Sequence, residues 1–261
     1  MTKTALITGA TSGIGFELSL LLAKDKYNLI LVDIDAVKLE DTKNHIQKLY
    51  NSQVINLIKD LSKSNVAQEI LEESKDIPID ILINNVGFGV FGVFSNTNWS
   101  RESEMLYLHI QTTTHLTKLV LKEMVAHNRG MVLNVSSLAA FQPGPLMAIY
   151  YASKAYILSF SEAISNELKG TGVTVTALCP RQTRTGFQKE VSKTSFENKI
   201  NFNNAYPKDV AKYEYKAMLK GKTVAIPGRF NKLLSIISRF IPRNIITSIV
   251  RKLQEKNRAS A

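Results

Sequence analysis

Apolar runs alternate along the chain with segments in which apolar residues recur every three or four positions. The runs are short and rich in Leu, Ile and Val, so they predict buried strands, whereas the periodic segments predict amphipathic helices. The predicted strands are Thr4–Thr8, Asn28–Val32, Gln53–Ile58, Asp80–Ile83 and Met131–Val135. The predicted helices are Phe16–Lys24, Ala36–Tyr50, Lys63–Lys75, Trp99–His127 and Ala148–Leu168. This alternation predicts a single α/β domain, with a doubly wound parallel sheet and helices on both faces.

Polar residues and glycines follow directly after several of these strands. They are Thr8-Gly9, Asp33, Asp60, Asn85–Gly87, Ser136–Ser137 and Pro180. The carboxyl ends of parallel strands meet at one edge of a sheet, and ligands of open α/β folds bind there. We therefore expect these residues to belong to one site.

A glycine-rich loop, Gly9-Ala10-Thr11-Ser12-Gly13-Ile14-Gly15, joins the first strand to the first helix. Glycines let the backbone approach phosphate closely, and the helix N-terminus offers N–H groups and a positive dipole end, so the loop predicts a dinucleotide pyrophosphate site. Asp33 ends the second strand, where a carboxylate accepts ribose hydroxyls but repels a 2′-phosphate, which favours NAD over NADP. The alternative is that Asp33 only starts a turn with Asp35.

Tyr150 and Lys154 are four residues apart in a predicted helix, so both side chains should emerge from one face. A nearby ammonium favours the phenolate and lowers the pKa of a tyrosine, which would make Tyr150 a usable proton carrier. Ser137 follows an apolar strand and could present its hydroxyl to the same substrate oxygen. The alternative is a chance pair on an ordinary helix.

Taken together, these segments resemble the classical short-chain dehydrogenase/reductase family from about residue 3 to residue 226. The motifs that carry the resemblance are Thr8–Gly15, Asn84–Gly87, Asn134–Ser137, Tyr150–Lys154 and Cys179-Pro180. The resemblance implies a single Rossmann-type domain over residues 1–228. It also implies that Tyr150 is the acid/base, that Ser137 polarises the substrate oxygen, and that Lys154 lowers the pKa of Tyr150 and holds the nicotinamide ribose.

The resemblance further implies the cofactor contacts, position by position. The implied residues are Gly9, Ser12, Gly13, Ile14 and Gly15 at the pyrophosphate, Asp33 and Asn85, Val86 and Gly87 at the adenosine ribose, Asp60 and Leu61 beside the adenine, Tyr150 and Lys154 at the nicotinamide ribose, and Pro180, Thr183 and Thr185 toward the carboxamide. A metal site is not expected.

The chain departs from the family at two positions. His109 stands where the family usually has an Asn that completes a catalytic tetrad; it could preserve the proton relay or disrupt it. Arg181 stands where the family usually has Gly, which constrains a backbone segment close to the nicotinamide. Arg181 could engage an anionic group, or it could be an ordinary solvated side chain.

Charge is concentrated near the C-terminus. Of the net +11, residues 220–261 contribute ten Lys or Arg against Glu255 alone, a balance of +9, and the remaining residues carry 23 against 21, or +2. A nearly neutral body disfavours nucleic-acid binding. The single Cys179, the lack of room for a signal peptide before the first strand and the absence of an apolar run of about 18 residues predict a cytoplasmic protein.

The segment 229–261 is predicted to be a basic amphipathic extension. Apolar residues of Asn231–Ile241 lie on one helical face, and a second run after Pro242 repeats the pattern. Such helices suit an anionic membrane surface, a partner subunit in a homodimer or homotetramer, or a flap over the substrate mouth. Residues from about 186 to 206 are predicted to form a substrate lid, and Phe88–Phe94 and Pro143–Met147 to border a pocket for a lipophilic substrate.

The function predicted from these features is an NAD(H)-preferring oxidoreductase. It would transfer a hydride between the nicotinamide and a lipophilic ketone or secondary alcohol, such as a steroid-like or fatty-acyl compound. The alternative from another class is a non-catalytic nicotinamide-binding module whose C-terminal segment docks on a membrane or a partner. A different reaction at the same site, such as epimerisation or dehydration, also stays open.

Overall fold

Seven parallel strands form one sheet in the computed structural model, which describes residues 3–183, 205–238 and 240–256. The strand order is β3-β2-β1-β4-β5-β6-β7. The strands are β1 (Thr4–Thr8), β2 (Asn28–Asp33), β3 (Val54–Ile58), β4 (Ile81–Asn84), β5 (Gly130–Val135), β6 (Val173–Leu178) and β7 (Val224–Ala225). The chain reverses its direction of progress across the sheet between β1 and β4, and such a switch point leaves a crevice at the carboxyl edge of the sheet.

Helices cover both faces of this sheet. They are α1 (Gly13–Lys24), α2 (Ala36–Leu49), α3 (Val66–Glu73), α4 (Trp99–Leu106), α5 (Thr113–Ala126), α6 (Ala148–Glu167), α7 (Pro207–Leu219), α8 (Arg229–Ile237) and α9 (Arg243–Lys256). Buried residues of α1, α2 and α7 pack on one face, and those of α3, α5 and α6 pack on the other. The predicted doubly wound α/β fold of Rossmann type, with C-terminal helices, is confirmed.

The two-sided core follows from the strand sequences. Ala5 and Ile7 of β1 face the α1 side while Leu6 faces the α5 side, since successive side chains of a strand point to opposite faces. Both faces are buried, which explains why the strands are continuous apolar runs instead of alternating patterns. Helix starts are equally local: the Asp35 carboxylate accepts the N–H of Lys38 at 3.1 Å to cap α2.

One predicted helix is interrupted. The sequence predicts a continuous helix over Trp99–His127, but a π-helical segment, Tyr107–Thr112, separates α4 from α5. Within it the Thr112 hydroxyl donates to the carbonyl oxygen of Leu61 at 2.8 Å, which ties the wide turn to the loop after β3. Single π-helical turns inside α-helices are rare and are frequent at functional sites. This one carries His109.

Within the described ranges, no helix is both long enough and apolar enough to cross a bilayer. The same residues contain no group of three or more His, Cys, Asp or Glu side chains placed to hold a metal ion.

Glu214 of α7 is an acidic residue in the apolar core. Its side chain is fully buried, and neither carboxylate oxygen has a hydrogen-bond partner among the described residues. Burial raises the pKa of Glu214 well above its usual value because an unpaired carboxylate is poorly solvated there. The folded protein therefore holds the proton more tightly than the unfolded chain does. The stability that comes from this tighter proton binding is fully present below the unfolded pKa of about 4.3. It is lost as the pH rises through the folded pKa.

We predict that Glu214→Met raises the free energy of unfolding at pH 7 by about 1–3 kcal/mol, because an unbranched apolar side chain replaces an unsatisfied carboxyl. The gain should shrink as the pH is lowered toward 4, where the carboxyl is protonated in both states. Urea denaturation at both pH values measures it, with exposed Glu167→Met as the control. An equal gain at both pH values would contradict the assignment.

Candidate active site

The backbone of the glycine loop adopts a conformation and a packing that require glycine at several positions. Gly9 and Gly13 have φ of +66° and +57°, in the left-handed region that glycine adopts without strain. A Cβ at Gly15 would lie 2.2 Å from the Gly9 carbonyl oxygen and 2.5 Å from Nδ2 of Asn85, so only glycine fits there. Ser12 precedes α1 and its side chain makes no capping hydrogen bond, which leaves the first N–H groups of α1 facing the loop. These features fit a pyrophosphate.

Asn85 supports the loop from β4. Its amide nitrogen donates to the carbonyl oxygens of Thr8 and Gly9, each at 3.0 Å. The Thr8 hydroxyl accepts the backbone N–H groups of Asn85 and Val86 at 3.0 and 3.3 Å. The resemblance placed Asn85 beside the adenosine ribose, but in the structure its side chain positions the glycine loop.

Asp33 ends β2 next to the same loop. Its carboxylate accepts the Thr11 hydroxyl at 2.7 Å and the backbone N–H of Ile34 at 2.8 Å. The side chain is half-buried, so the carboxylate is fixed beside the loop and remains partly accessible. Both the ribose interpretation and the turn interpretation are compatible with this geometry.

The other predicted cofactor residues lie around this edge. The Asp60 carboxylate accepts the hydroxyl and N–H of Ser62 at 2.7 and 3.0 Å, and Leu61 is buried beside it. Pro180 is buried after β6, and the Thr183 hydroxyl donates to the carbonyl oxygen of Arg181 at 2.9 Å. Thr185 and most of the predicted lid lie outside the described residues.

Ser137, Tyr150 and Lys154 meet at the end of β5. The Ser137 hydroxyl is hydrogen-bonded to that of Tyr150 and accepts the N–H of Ala139 at 3.1 Å. Lys154 Nζ lies 5.8 Å from the centroid of the Tyr150 ring and donates to the carbonyl oxygen of Val135 at 2.9 Å. The structure thus brings together the three residues that the sequence predicted to be catalytic.

Burial dominates the protonation of this group. It raises the pKa of Tyr150 to about 12, against the opposing effect of the hydrogen bond from Ser137. It also lowers the pKa of Lys154 to about 8. The loss of water around the phenol is the largest influence on the pKa of Tyr150, and its direction is opposite to the lowering expected from Lys154. Tyr150 is protonated near neutral pH.

His109 lies directly beside these groups. Its side chain is fully buried, and its ring centroid is 6.1 Å from that of Tyr150. The Ser153 hydroxyl donates to the carbonyl oxygen of Tyr150 at 2.8 Å, so its oxygen accepts the N–H of His109 Nδ1, also at 2.8 Å. Burial and then the nearby Lys154 hold the pKa of His109 well below its usual value. The ring is therefore neutral, with Nε2 as an acceptor.

The backbone of Gly87 lies next to Nε2 of His109. Nε2 of His109 is buried without a hydrogen-bond partner in the described structure. A Cβ at Gly87 would lie 2.8 Å from Nε2 and 3.5 Å from Lys154 Nζ, so both nitrogens border the space over the Gly87 backbone. Any side chain at residue 87 would fill the gap between them.

Arg181 does not strain the loop after β6. In the part of the chain that the structure describes, the residues with positive φ other than glycine are Lys26, Asn65, Asn128 and Leu146, so the backbone of Arg181 has an ordinary conformation. Its side chain is exposed. Replacing the family's Gly by Arg restricts the backbone at residue 181, but the conformation found there is one that Arg adopts without strain.

A buried amide network, which the sequence analysis did not identify, supports the catalytic helix. Asn84 Nδ2 donates to Oδ1 of Asn134 at 2.8 Å and to the Thr117 hydroxyl at 2.9 Å. Asn134 Nδ2 donates in turn to the Ser161 hydroxyl of α6 at 3.0 Å. Asparagines within otherwise apolar strands were the available signal, since a buried amide requires partners. The network joins β4, β5, α5 and α6.

Comparisons with known proteins agree with this geometry. The chain matches the family model for short chain dehydrogenase over residues 3–195. Mouse (Mus musculus) 17-beta-hydroxysteroid dehydrogenase type 3 is 32% identical over 203 residues, covering 76% of this chain and 67% of the mouse protein. The very-long-chain 3-oxoacyl-CoA reductase of Pyrenophora tritici-repentis is 34% identical over 201 residues, covering 73% of this chain and 58% of that protein.

A solved structure shows the same arrangement of elements. The short-chain dehydrogenase from Sphingobium yanoikuyae in complex with NADPH superimposes with a TM-score of 0.79 at 27% identity, covering 87% of this chain and 88% of that chain. The family match, the parallel sheet and the glycine loop agree with one another. The chain therefore belongs to the short-chain dehydrogenase/reductase family, oxidoreductases with an NAD(P)-binding Rossmann fold.

Proposed function

We propose that this protein is an NAD(H)-preferring oxidoreductase that transfers a hydride between the nicotinamide and a lipophilic ketone or secondary alcohol. The observation that carries the proposal is the convergence of Ser137, Tyr150 and Lys154 beside the glycine loop, at the carboxyl edge of one sheet. A bound nicotinamide would supply or accept the hydride. The protein's own residues then have to handle one proton.

Tyr150 is suited to give up that proton to a carbonyl oxygen. Its hydroxyl is protonated at neutral pH and is hydrogen-bonded to Ser137, and its side chain is half-buried. A carbonyl oxygen placed between the two hydroxyls would receive a hydrogen bond from Ser137 and a proton from Tyr150 as negative charge develops on it. The protonated phenol is the form that ketone reduction requires.

The substrate class is supported by the walls of the site and by the relatives. Phe88 packs its ring under the guanidinium of Arg101, whose Cζ is 4.4 Å from the ring centroid, and Met147 is buried before α6. The mouse relative is named for a hydroxysteroid and the fungal relative for a very-long-chain 3-oxoacyl-CoA. We infer a bulky, largely apolar substrate with one ketone or secondary alcohol.

The choice of NAD over NADP rests on Asp33. Thr11 and Ile34 donate to its carboxylate beside the glycine loop, which would place the negative charge close to a 2′-phosphate. The Asp33 carboxylate and a 2′-phosphate are both negative, so their repulsion would oppose the binding of NADP. The solved relative binds NADPH, which makes the preference of this chain a question for direct measurement.

His109 supports a proton path that ends at Lys154. Because Nδ1 donates to Ser153, the lone pair of Nε2 points into the space that Lys154 Nζ also borders. We infer that Nε2 accepts a hydrogen bond from Lys154, directly or through one water, and so supplies the acceptor that the family's Asn would provide. This argues against the alternative of a non-catalytic nicotinamide-binding module, because His109 supplies the hydrogen-bond acceptor that a proton relay through Lys154 requires.

Assembly and location remain predictions. We expect a homodimer or homotetramer in the cytoplasm, with peripheral contact at a membrane surface through residues 229–261.

Tyr150→Phe should lower kcat for ketone reduction by about 10²–10⁴-fold, because the proton donor is removed, while NADH binding is retained. Turnover is followed by NADH oxidation against a panel of lipophilic ketones, and binding by NADH fluorescence. The matched control is Tyr156→Phe, an exposed tyrosine on the same helix. Full activity in Tyr150→Phe would refute the acid/base assignment.

The cofactor proposal is tested with Asp33→Asn, which removes the charge and keeps an oxygen acceptor for Thr11. The ratio of kcat/KM for NADH to that for NADPH should favour NADH in the native protein and fall by about tenfold or more in the variant. Exposed Asp41→Ser is the control. A native preference for NADPH, or an unchanged ratio in Asp33→Asn, would contradict the role of Asp33.

The relay is tested with His109→Phe and His109→Asn. His109→Phe should lower kcat by about tenfold or more and alter its pH profile, while His109→Asn should recover most of the activity because an amide oxygen again accepts a hydrogen bond. NADH affinity should change little in either. Exposed His115→Phe is the control, and a native pH profile in His109→Phe would exclude the relay.

A further inference from the structure

Helix α8 is oriented with its polar side toward the domain. Asn231, Ser235 and Ser238 form the inner side, and Ser235 is only 5% exposed. The large apolar residues of the helix are all exposed: Phe230, Leu233, Leu234, Ile236 and Ile237. A helix that merely covers a globular domain buries its apolar stripe and exposes its polar side. The reversed orientation leaves the apolar side chains of α8 between 40% and 64% exposed.

Helix α9 and the turn before it also expose large apolar residues. Ile245, Ile249 and Leu253 recur every four residues and are exposed, whereas Val250 and Gln254 face the domain. Phe240, in the turn between the two helices, is 82% exposed. Contiguous exposed apolar residues of this kind mark an interaction surface. We refer to the exposed apolar residues of α8, the turn and α9 as the docking face.

Basic side chains border the docking face. Their positive charge distinguishes between the possible binding partners of this surface. Arg229, Lys232, Arg243 and Lys252 are exposed on or between its helices. The acidic Glu255 is already paired with Arg251 at 2.8 Å. A second copy of the chain would set this basic border against an identical one, at a cost in like-charge repulsion. Anionic lipid headgroups complement the cations, and acyl chains complement the Phe, Leu and Ile side chains.

We propose that α8 and α9 dock the protein on the surface of an anionic phospholipid bilayer, with the docking face inserted at the boundary between headgroups and acyl chains. The long stems of Lys and Arg can follow the apolar residues while their charged ends stay with the headgroups. This docking requires no membrane-spanning segment.

The two helices that carry the docking face contact the active-site region through their inner sides. Helix α8 packs against the segment Leu138–Phe141 that follows Ser137. Gln254 of α9 donates to the hydroxyl of Tyr151, the neighbour of Tyr150, at 2.9 Å. If the proposed function is correct, docking would bring the mouth of the pocket next to the acyl chains, so that a lipophilic ketone enters from the bilayer.

The test is flotation of the full chain with vesicles of phosphatidylcholine alone or mixed with phosphatidylglycerol, at low and high salt. We expect at least about tenfold tighter association with the anionic vesicles, and weakening at high salt. Phe230→Ser/Phe240→Ser should lose about tenfold or more of the association, because two aromatic anchors are removed. Lys232→Gln/Lys252→Gln should lose about fivefold per charge on anionic vesicles.

The matched control is Leu49→Ser/Val125→Ser, which removes two exposed apolar residues outside the docking face and should leave vesicle binding unchanged. Three results would overturn the proposal: no association, equal association with neutral and anionic vesicles, or a dimer in light scattering that Phe230→Ser/Phe240→Ser abolishes. Ketone turnover without vesicles, measured in every variant, separates this test from the proposed function. Vesicle binding by a protein without turnover would leave the docking intact and refute only the enzyme.

Discussion

The attachment of α6 to the end of β5 is the constraint on which the catalytic geometry depends. The Ser136 hydroxyl donates to the carbonyl oxygen of Lys154 at 2.7 Å, and Lys154 Nζ donates back to the carbonyl oxygen of Val135 at 2.9 Å. One turn of helix separates Tyr150 from Lys154, and Ser136 directly precedes Ser137. Fixing α6 to β5 at this point therefore fixes all three catalytic groups relative to one another.

Burial makes this arrangement both useful and costly. The loss of hydration around these side chains raises the pKa of Tyr150, lowers that of Lys154 and keeps His109 neutral. Each shift disfavours a charge that water would otherwise stabilise. The buried amides of Asn84 and Asn134 hold α6 against the sheet at a second level, away from the reacting groups. The site is thus a set of mostly neutral hydrogen-bonding groups held in fixed positions, which is the arrangement that favours proton transfer over solvation.

The sequence was sufficient for features that depend on local pattern. Strand and helix periodicity predicted the parallel sheet, and the glycine loop, Asp33 and the catalytic trio lie at the carboxyl edge as expected. The sequence was insufficient for features that depend on burial or on contacts between residues distant in the chain. The π-helical turn around His109 depends on the bond from Thr112 to Leu61, which are distant in sequence. Burial also raises the pKa of Tyr150, opposite to the expected direction, and Glu214 lies in the core with no partner among the residues that the structure describes.

Tyr151 shows how the extension and the catalytic centre are joined. Its ring lies so close to Gly144 that a Cβ there would be 2.1 Å from the ring, and it packs edge-on to Tyr150. Its hydroxyl accepts the Gln254 amide of α9. A shift of α9 must therefore move Tyr151 or break this bond, and Tyr151 has little freedom to move because glycine backbone lies on one side and Tyr150 on another. The orientation of the exposed apolar face is consequently set by the same packing that positions the proton donor.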